Sequence, residues 1–174
     1  MLVIRLGIKM NYRIILFAAL VFTPTNAFAW DVSVDGPDVF DKIKVIATKI
    51  GLNANLVIQC DSESDLLLAY VFKKKEFDKT VDAPAKLFVK TGDGPPTVLE
   101  ASFRDWNDNY SGVVVSGRTD ELQKVLADIG SAKKKIQAGI DVLGIKDSAG
   151  FGTLKSTQVV NTIFEKCKLT KPKS

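Results

Sequence analysis

The stretch LVIQCDSESDLLLAYVF, residues 56–72, carries the pattern that decides the fold. An apolar run ends at Cys60, a polar segment follows over 61–65, and a second apolar run begins at Leu66. Two apolar runs joined by a short polar connection are typical of an antiparallel hairpin. The second run is apolar at consecutive positions, which indicates a strand covered on both faces. These residues predict a β-rich fold in which Cys60 ends a buried strand.

The two cysteines of the chain predict one disulfide bond. Cys60 is the last member of a strand face that also holds Leu56 and Ile58, because side chains alternate along a strand. Cys167 is the last member of an apolar stripe at helical spacing that begins at Val160. Both faces should look into one core, so we predict a Cys60–Cys167 bridge that ties the last helix to the sheet. Two buried free thiols are the alternative, and a catalytic thiol would need a base in a chain without histidine.

Residues 1–29 have the composition of a secretory signal peptide. Three basic residues, at positions 5, 9 and 13, precede a nine-residue apolar run over 14–22. Alanines at 27 and 29 suit a cleavage site before Trp30. A membrane anchor is the alternative, but nine apolar residues are too few, since a spanning helix needs about 20. We therefore expect an exported protein, periplasmic or secreted, with no transmembrane segment after cleavage.

The remaining chain, residues 30–174, is expected to be a single β-rich domain of 145 residues. The leader contains three basic residues and no acidic one, so 21 of the 24 basic residues remain beside all 20 acidic residues. A phosphate-binding protein needs a concentrated basic face. This nearly neutral balance argues against nucleic acid as a partner.

The pattern along the mature chain predicts an α+β fold. Apolar alternation and turn signals predict strands over 42–48, 56–60, 66–72, 87–89, 98–104, 110–115 and 135–142. Helical spacing predicts one helix capped at Thr119 or Asp120 and ended by Gly130, and a second capped near Ser156 or Thr157. We expect an antiparallel sheet or sandwich of about six to eight strands with two helices.

Aromatic and acidic side chains surround a predicted turn at 107–109. Trp106 lies between Asp105 and Asp108, and Tyr110 begins the next predicted strand. Exposed Trp and Tyr often anchor protein partners, and two carboxylates could act on a glycan. The same residue types also build turns, and packing at the sheet edge is an equal alternative for Trp106. We take Asp105, Trp106, Asp108 and Tyr110 as candidate partner-binding residues.

The sequence contains no recognised catalytic or metal-binding motif. It has no histidine, no nucleophile elbow and no Walker loop. Asp61, Glu63 and Asp65 alternate, but they lack the glycine and the downstream glutamate of an EF-hand loop, so a solvated turn is the favoured interpretation. We expect no metal, no cofactor and no enzymatic activity.

The order of features resembles that of a known group of exported proteins. The chain has a tryptophan at its expected mature start, the strand Leu-Val-Ile-Gln-Cys at 56–60, a Phe151 to Thr157 segment and a closing helix that ends in Cys167. This resembles small periplasmic β-rich proteins found with type VI secretion and, less closely, invasion-associated proteins of the locus B kind. Gln59 stands where those families usually carry arginine. The resemblance implies an envelope accessory or binding protein whose strand and helix cysteines are paired.

Three functions follow as hypotheses. The first is a non-enzymatic binding or accessory domain of the bacterial envelope, with an envelope protein or a glycan as its partner. The second is a carrier of a small apolar ligand in a β-sandwich cavity, because residues 66–72 are apolar on both faces. The third is a cell-wall glycan enzyme that uses Asp105 and Asp108.

Overall fold

The structure is a computed structural model that describes residues 29–61, 66–74 and 82–172. The predicted signal peptide lies outside these residues except for Ala29. Glu63 and Asp65 of the polar connection also lie outside them.

The described residues form one antiparallel sheet of nine strands. The strands are β1 (Asp31–Asp35), β2 (Lys44–Ile50), β3 (Ala54–Asp61), β4 (Leu67–Lys73), β5 (Pro84–Lys90), β6 (Thr97–Asn107), β7 (Tyr110–Ser116), β8 (Lys135–Val142) and β9 (Ile145–Gly152). Their spatial order is β1-β2-β3-β4-β7-β6-β5-β8-β9. The predicted hairpin is the β3–β4 pair, in which Leu56 lies opposite Tyr70. The predicted α+β class and antiparallel sheet are confirmed, although the sheet has nine strands rather than six to eight.

The two strands that the pattern did not predict are the edge strands of the sheet. β1 is exposed along most of its length, and β9 carries Lys146, Asp147 and Gly150 among its eight residues. β9 lacks the apolar alternation that marks a half-buried strand, whereas β1 (DVSVD) alternates but has only five residues. Each forms because an adjacent strand, β2 or β8, supplies a complete antiparallel ladder of backbone partners.

The sheet curves until its two edges approach each other. The amide nitrogen of Trp30, just before β1, donates to the carbonyl of Leu154, just after β9, at 3.1 Å. Tyr70 of β4 packs edge-on against Phe151 of β9, with ring centroids 6.3 Å apart. The two halves of the sheet therefore face each other like the layers of a sandwich, and β9 lies close to the β2–β3 turn.

Two helices pack together against the concave face of the sheet. They are α1 (Asp120–Ser131) and α2 (Ser156–Lys166). The Thr119 hydroxyl oxygen accepts a hydrogen bond from the Leu122 amide at 3.2 Å, which confirms the predicted cap of the first helix. Apolar residues of both helices, including Leu126 and Ile163, are fully buried in the same core as the inward side chains of the strands.

The second helix begins differently from the prediction. Its cap residue is Lys155, in a left-handed conformation (φ 67°) without a side-chain capping bond, so the predicted cap near Ser156 or Thr157 is wrong. The Thr157 hydroxyl instead donates to the carbonyl of Gly130 in α1. The side chain that could have capped α2 therefore ties the two helices together.

A disulfide bond joins Cys60 in β3 to Cys167, the residue that ends α2. The two Cα atoms lie 6.2 Å apart, and both side chains are buried. The predicted pairing and the tie between the last helix and the sheet are confirmed.

Gly130 lies where the two helices are in close contact, and we expect Gly130→Ala to destabilise the protein by about 1 kcal/mol. A Cβ at this position would lie 3.0 Å from Cβ and Cγ1 of Val160, whose position is set by α2. Alanine gains helix propensity over glycine, roughly 1 kcal/mol, but the crowding against a fixed β-branched residue outweighs that gain. Urea unfolding measures the change. In a Val160→Ala background, the same substitution should become neutral or stabilising.

Candidate binding cleft

The candidate residues named from the sequence lie on the β6–β7 hairpin. Its turn consists of Asp108 and Asn109, and the Asn107 side-chain oxygen accepts hydrogen bonds from the amides of Asn109 and Tyr110 at 2.9 and 3.0 Å. The exposed Asp105 carboxylate forms an ion pair with the Lys74 ammonium at 3.0 Å. The Lys74 amide also donates to the carbonyl of Asn109 at 3.0 Å. Lys74, the residue after β4, therefore holds the β6–β7 hairpin in place through its side chain and its backbone.

Trp106 packs against the sheet. A register shift between Asp105 and Asn107 interrupts the β6–β7 ladder at this residue. The half-buried indole covers Gly112, where a Cβ would lie 3.2 Å from Trp106 Cε3. It also packs on an apolar cluster of the outer sheet face formed by Val57, Ala69, Val71 and Val114. These contacts favour the packing interpretation of Trp106 over that of a partner anchor.

Tyr110 lines a cleft of about 620 Å³ at the end of the sheet where the β2–β3 turn meets the β6–β7 hairpin. The cleft is lined by Ile50, Gly51, Leu52, Asn53, Ala54, Asn55, Val71, Lys73, Tyr110 and Asp147. Three of its large side chains reach solvent, with Leu52 95%, Ile50 52% and Tyr110 38% exposed. The four candidate residues are thus close in sequence, but only Tyr110 belongs to this cleft.

A buried hydrogen bond supports the wall that β9 contributes to the cleft. The hydroxyl of the fully buried Tyr70 donates to Oδ2 of Asp147 at 3.4 Å. Burial raises the pKa of Tyr70 well above its ordinary value, and the charge and hydrogen bond of Asp147 raise it further. The phenol therefore stays protonated and keeps donating to a carboxylate at the cleft.

We expect Tyr70 to resist ionisation until the protein unfolds in alkali. Because its pKa is higher in the folded state, the stability it contributes is complete below its ordinary pKa of about 10 and is lost as the pH rises above that value. Spectrophotometric titration of Tyr110→Phe, which leaves Tyr70 as the tyrosine of residues 30–174, should show phenolate appearing together with loss of the folded circular dichroism signal. Formation of the Tyr70 phenolate near pH 10, its ordinary pKa, in protein that is still folded would contradict the buried hydrogen bond between Tyr70 and Asp147.

The two carboxylates considered for acid/base chemistry are not enclosed by the protein. Asp105 and Asp108 are both exposed, and Asp105 is engaged by Lys74. A general acid is normally enclosed, so that desolvation tunes its proton affinity. Within residues 29–61, 66–74 and 82–172, no group of three or more His, Cys, Asp or Glu side chains is placed to hold a metal ion.

Most cleft residues were not identified from the sequence. Residues 51–55 lie between the predicted strands 42–48 and 56–60, where the sequence indicated no functional residue, and Asp147 belongs to β9, one of the two strands that the pattern did not predict. The cleft exists because curvature of the sheet brings β9 to the β2–β3 turn, a long-range contact without a local signature. The one available signal was Leu52, a large aliphatic residue in an otherwise small and polar turn.

The comparisons with known proteins give no match. No protein-family model, no curated protein and no solved structure is significantly similar to this chain. Among the residues that the structure describes, no helix is long and apolar enough to cross a membrane.

Proposed function

We propose that this chain is an exported, non-enzymatic binding protein of the bacterial envelope that binds a partner protein at the cleft between the β2–β3 turn and the β6–β7 hairpin. The observation that carries the proposal is the exposed apolar rim of that cleft. Leu52 and Ile50 expose much of their aliphatic surface to water beside Tyr110. Large apolar side chains grouped around a concave surface are typical of interaction sites.

The composition of the rim favours a protein over a glycan. The side chains of Leu52 and Ile50 offer no hydrogen bonds to sugar hydroxyls, but they gain free energy when an apolar partner surface excludes water. Tyr110 adds a residue type that is common at interaction hot spots. Lys73 and Asp147 supply the polar groups that surround the apolar centre of a typical interface.

Export is supported by the signal-peptide pattern and by the disulfide bond. Structural disulfides persist in oxidising compartments and are rare in the cytosol. The intact mass of the protein, measured with and without reduction and alkylation, tests export and pairing together. We expect a chain that begins at Trp30 and gains two alkyl groups only after reduction. A chain that retains residues 1–29 would contradict export by this leader.

The Leu52→Asp variant tests the cleft, with Leu154→Asp as a matched control. Both residues are exposed leucines, but Leu154 does not line the cleft. Affinity capture from envelope extract, followed by titration of the purified captured protein, should show at least tenfold weaker binding for Leu52→Asp and unchanged binding for Leu154→Asp. Equal binding by all three proteins would overturn the cleft as the site.

Pelleting with purified cell-wall sacculi tests the glycan alternative. Retention on sacculi that Leu52→Asp and Tyr110→Phe both abolish would replace the protein partner with a glycan. The apolar-carrier hypothesis receives less support from the structure, because buried residues of α1 and α2 pack against the concave face that would line an internal cavity.

A further inference from the structure

β9 is an edge strand that pairs on one side only with the strands of the described residues. It pairs with β8 along its whole length, from Ile145 opposite Val142 to Gly152 opposite Lys135, without a register shift. β1, at the other end of the strand order, does not pair with it. An edge strand presents backbone amides and carbonyls that can pair with another chain.

The hairpin between β8 and β9 determines which backbone groups of β9 point away from β8. Its loop consists of Leu143 and Gly144, which both have positive φ (52° and 88°), as a tight hairpin turn requires. Such a turn is closed by a bonded pair of flanking residues, here Val142 and Ile145, and bonded and non-bonded pairs then alternate along the ladder. The residues whose amides and carbonyls point away from β8 are therefore Lys146, Ser148, Gly150 and Gly152.

The accessible part of this edge runs from Lys146 to Gly150. Lys146, Ser148 and Gly150 are all exposed, and the exposed surface of a glycine is its backbone. Beyond them the end of β2 borders the strand, because a Cβ at Gly152 would lie 3.7 Å from Nζ of Lys49. Lys146, Ser148 and Gly150 are therefore the residues that can pair with another chain.

β9 lacks most of the features that prevent edge strands from pairing. Natural edge strands are usually short, bulged, or protected by proline and charged residues. β1 follows this rule, since it has five residues, carries an aspartate at each end and is followed by Gly36 and Pro37. β9 has eight residues without proline or bulge, and the charge of Lys146 is paired with Asp141 of β8 at 3.8 Å. The sheet therefore has one protected edge and one edge that is suited to pairing.

Two concave surfaces border the β9 edge, one on each face of the strand. Asp147, whose side chain points to Tyr70, lines the cleft on one face. On the other face, Ser148, Gly139 and Phe88 line a groove of about 600 Å³. Gly139 lies opposite Ser148 in β9 and opposite Phe88 in β5. Small residues therefore leave a channel that runs from the edge to the phenylalanine ring.

We propose that the partner protein of the cleft binds by adding an extended segment to the β9 edge, as a tenth strand of the sheet. This inference rests on the proposed function and specifies how the cleft holds its partner. Backbone hydrogen bonds to Lys146, Ser148 and Gly150 supply affinity, and pockets for alternate side chains supply specificity. Because side chains alternate along a strand, those of the segment point in turn into the cleft and into the groove.

The backbone of the edge, and not its charge, identifies the occupant. Charged groups of both signs border the edge, namely the lysines at 49, 73, 90, 135 and 146 and the carboxylates of Asp141 and Asp147. The excess of lysines disfavours a segment rich in basic residues and accepts an uncharged or acidic one. A row of amides and carbonyls at strand spacing is matched by another extended chain, whereas a glycan or a lipid headgroup offers no such row.

A single extended segment fits this edge better than a second copy of the chain does. The cleft of about 620 Å³ separates β9 from the β2–β3 turn, on which Leu52 is 95% exposed. Two copies paired through β9 would each bring such a turn beside the shared edge. A segment of a partner protein brings only its own side chains, for which the cleft and the groove provide space.

Hydrogen exchange of the protein alone tests the geometry of the edge. We expect fast exchange at the outward amides of Lys146, Ser148 and Gly150. The amides of Asp147 and Ala149, which point to β8, should exchange slowly. Equal exchange at all five amides would overturn the proposal, because it would mean that the edge is already covered or that the strand is not formed.

Site-specific photocrosslinking in cells of the source organism tests strand addition. The photoreactive residue p-benzoylphenylalanine replaces Lys146 in one full chain and Ser148 in another, with the exposed Lys124 of α1 as the control position. We expect positions 146 and 148 to crosslink to one segment of the same protein, at sites displaced by about two residues. The absence of an adduct, equal adducts from position 124, unrelated sites in the partner, or an adduct with a second copy of this chain would each overturn the proposal.

The Ser148→Pro variant separates strand addition from binding at the cleft alone. Proline removes the outward amide and spares the β8 ladder, whereas Ser148→Ala removes only the hydroxyl and is the matched control. Titration with the purified protein captured from envelope extract should show about tenfold weaker binding for Ser148→Pro and little change for Ser148→Ala. If Leu52→Asp weakens binding and a folded Ser148→Pro does not, the cleft stands and strand addition is wrong. If neither variant weakens binding, the proposed site itself is wrong. If Ser148→Pro does not fold, the displacement of the crosslinks from positions 146 and 148 decides.

Discussion

Removal of the disulfide by a Cys60→Ala, Cys167→Ala double substitution is expected to lower the free energy of unfolding by about 4 kcal/mol. The bridge spans 107 residues and therefore restricts most of the described domain in its unfolded state. Domains of this size are stable by roughly 5–15 kcal/mol, so the loss is a large part of the total. Urea unfolding of the double variant and of the oxidised wild type measures it.

The end of β3 and the end of α2 should stay in contact after the disulfide is removed. Arg118 donates from one guanidinium nitrogen to the carbonyl of Cys167 at 3.1 Å and from another to the carbonyl of Asp61 at 2.9 Å. This side chain holds the end of β3 and the end of α2 together independently of the sulfur atoms. We therefore expect an unchanged near-ultraviolet circular dichroism spectrum below the new midpoint. Reduced wild type is the control, and a loss below about 1 kcal/mol would contradict the unfolded-state mechanism.

The disulfide could be predicted because both cysteines end regular apolar patterns. Leu56, Ile58 and Cys60 are buried on the inward face of β3, as alternation requires. Val160, Ile163 and Cys167 are buried along α2 and the residue that ends it. Local periodicity thus determined which faces point inward, and a single core left one place where those faces could meet.

The binding cleft could not be predicted because it depends on curvature rather than on periodicity. Asp147 reaches the cleft only because β9 approaches the β2–β3 turn from the opposite edge of the sheet. That approach is set by twist and by packing between distant segments, which leave no pattern in neighbouring residues. The position of Trp106 could not be predicted for a similar reason. An irregularity in the β6–β7 ladder, which has no local sequence pattern, places its indole over Gly112.

Phe151 is the side chain that fixes this approach, and we expect Phe151→Ala to lower the free energy of unfolding by about 3–5 kcal/mol. The ring is buried in the core and packs edge-on against Tyr70. Its Cε1 atom would lie 2.8 Å from a Cβ at Gly51, so the ring rests directly on the backbone of the turn that walls the cleft. Truncation removes apolar contacts and leaves a cavity between β9 and that turn.

The Phe151→Ala variant should also loosen the cleft, an effect that separates it from an ordinary core truncation. The Gly51 amide donates to the carbonyl of Ala54 at 2.9 Å, and this bond closes the turn that presents Leu52. We expect faster hydrogen exchange at Gly51 and weaker partner binding in Phe151→Ala under conditions where the protein stays folded. Phe151→Leu, which retains most of the apolar volume, should lose clearly less stability, and Leu126→Ala, which truncates a buried residue of α1, is the matched control. If both alanine variants loosened Gly51 equally, the turn would be responding to global stability, and Phe151 would have no special part in shaping the cleft.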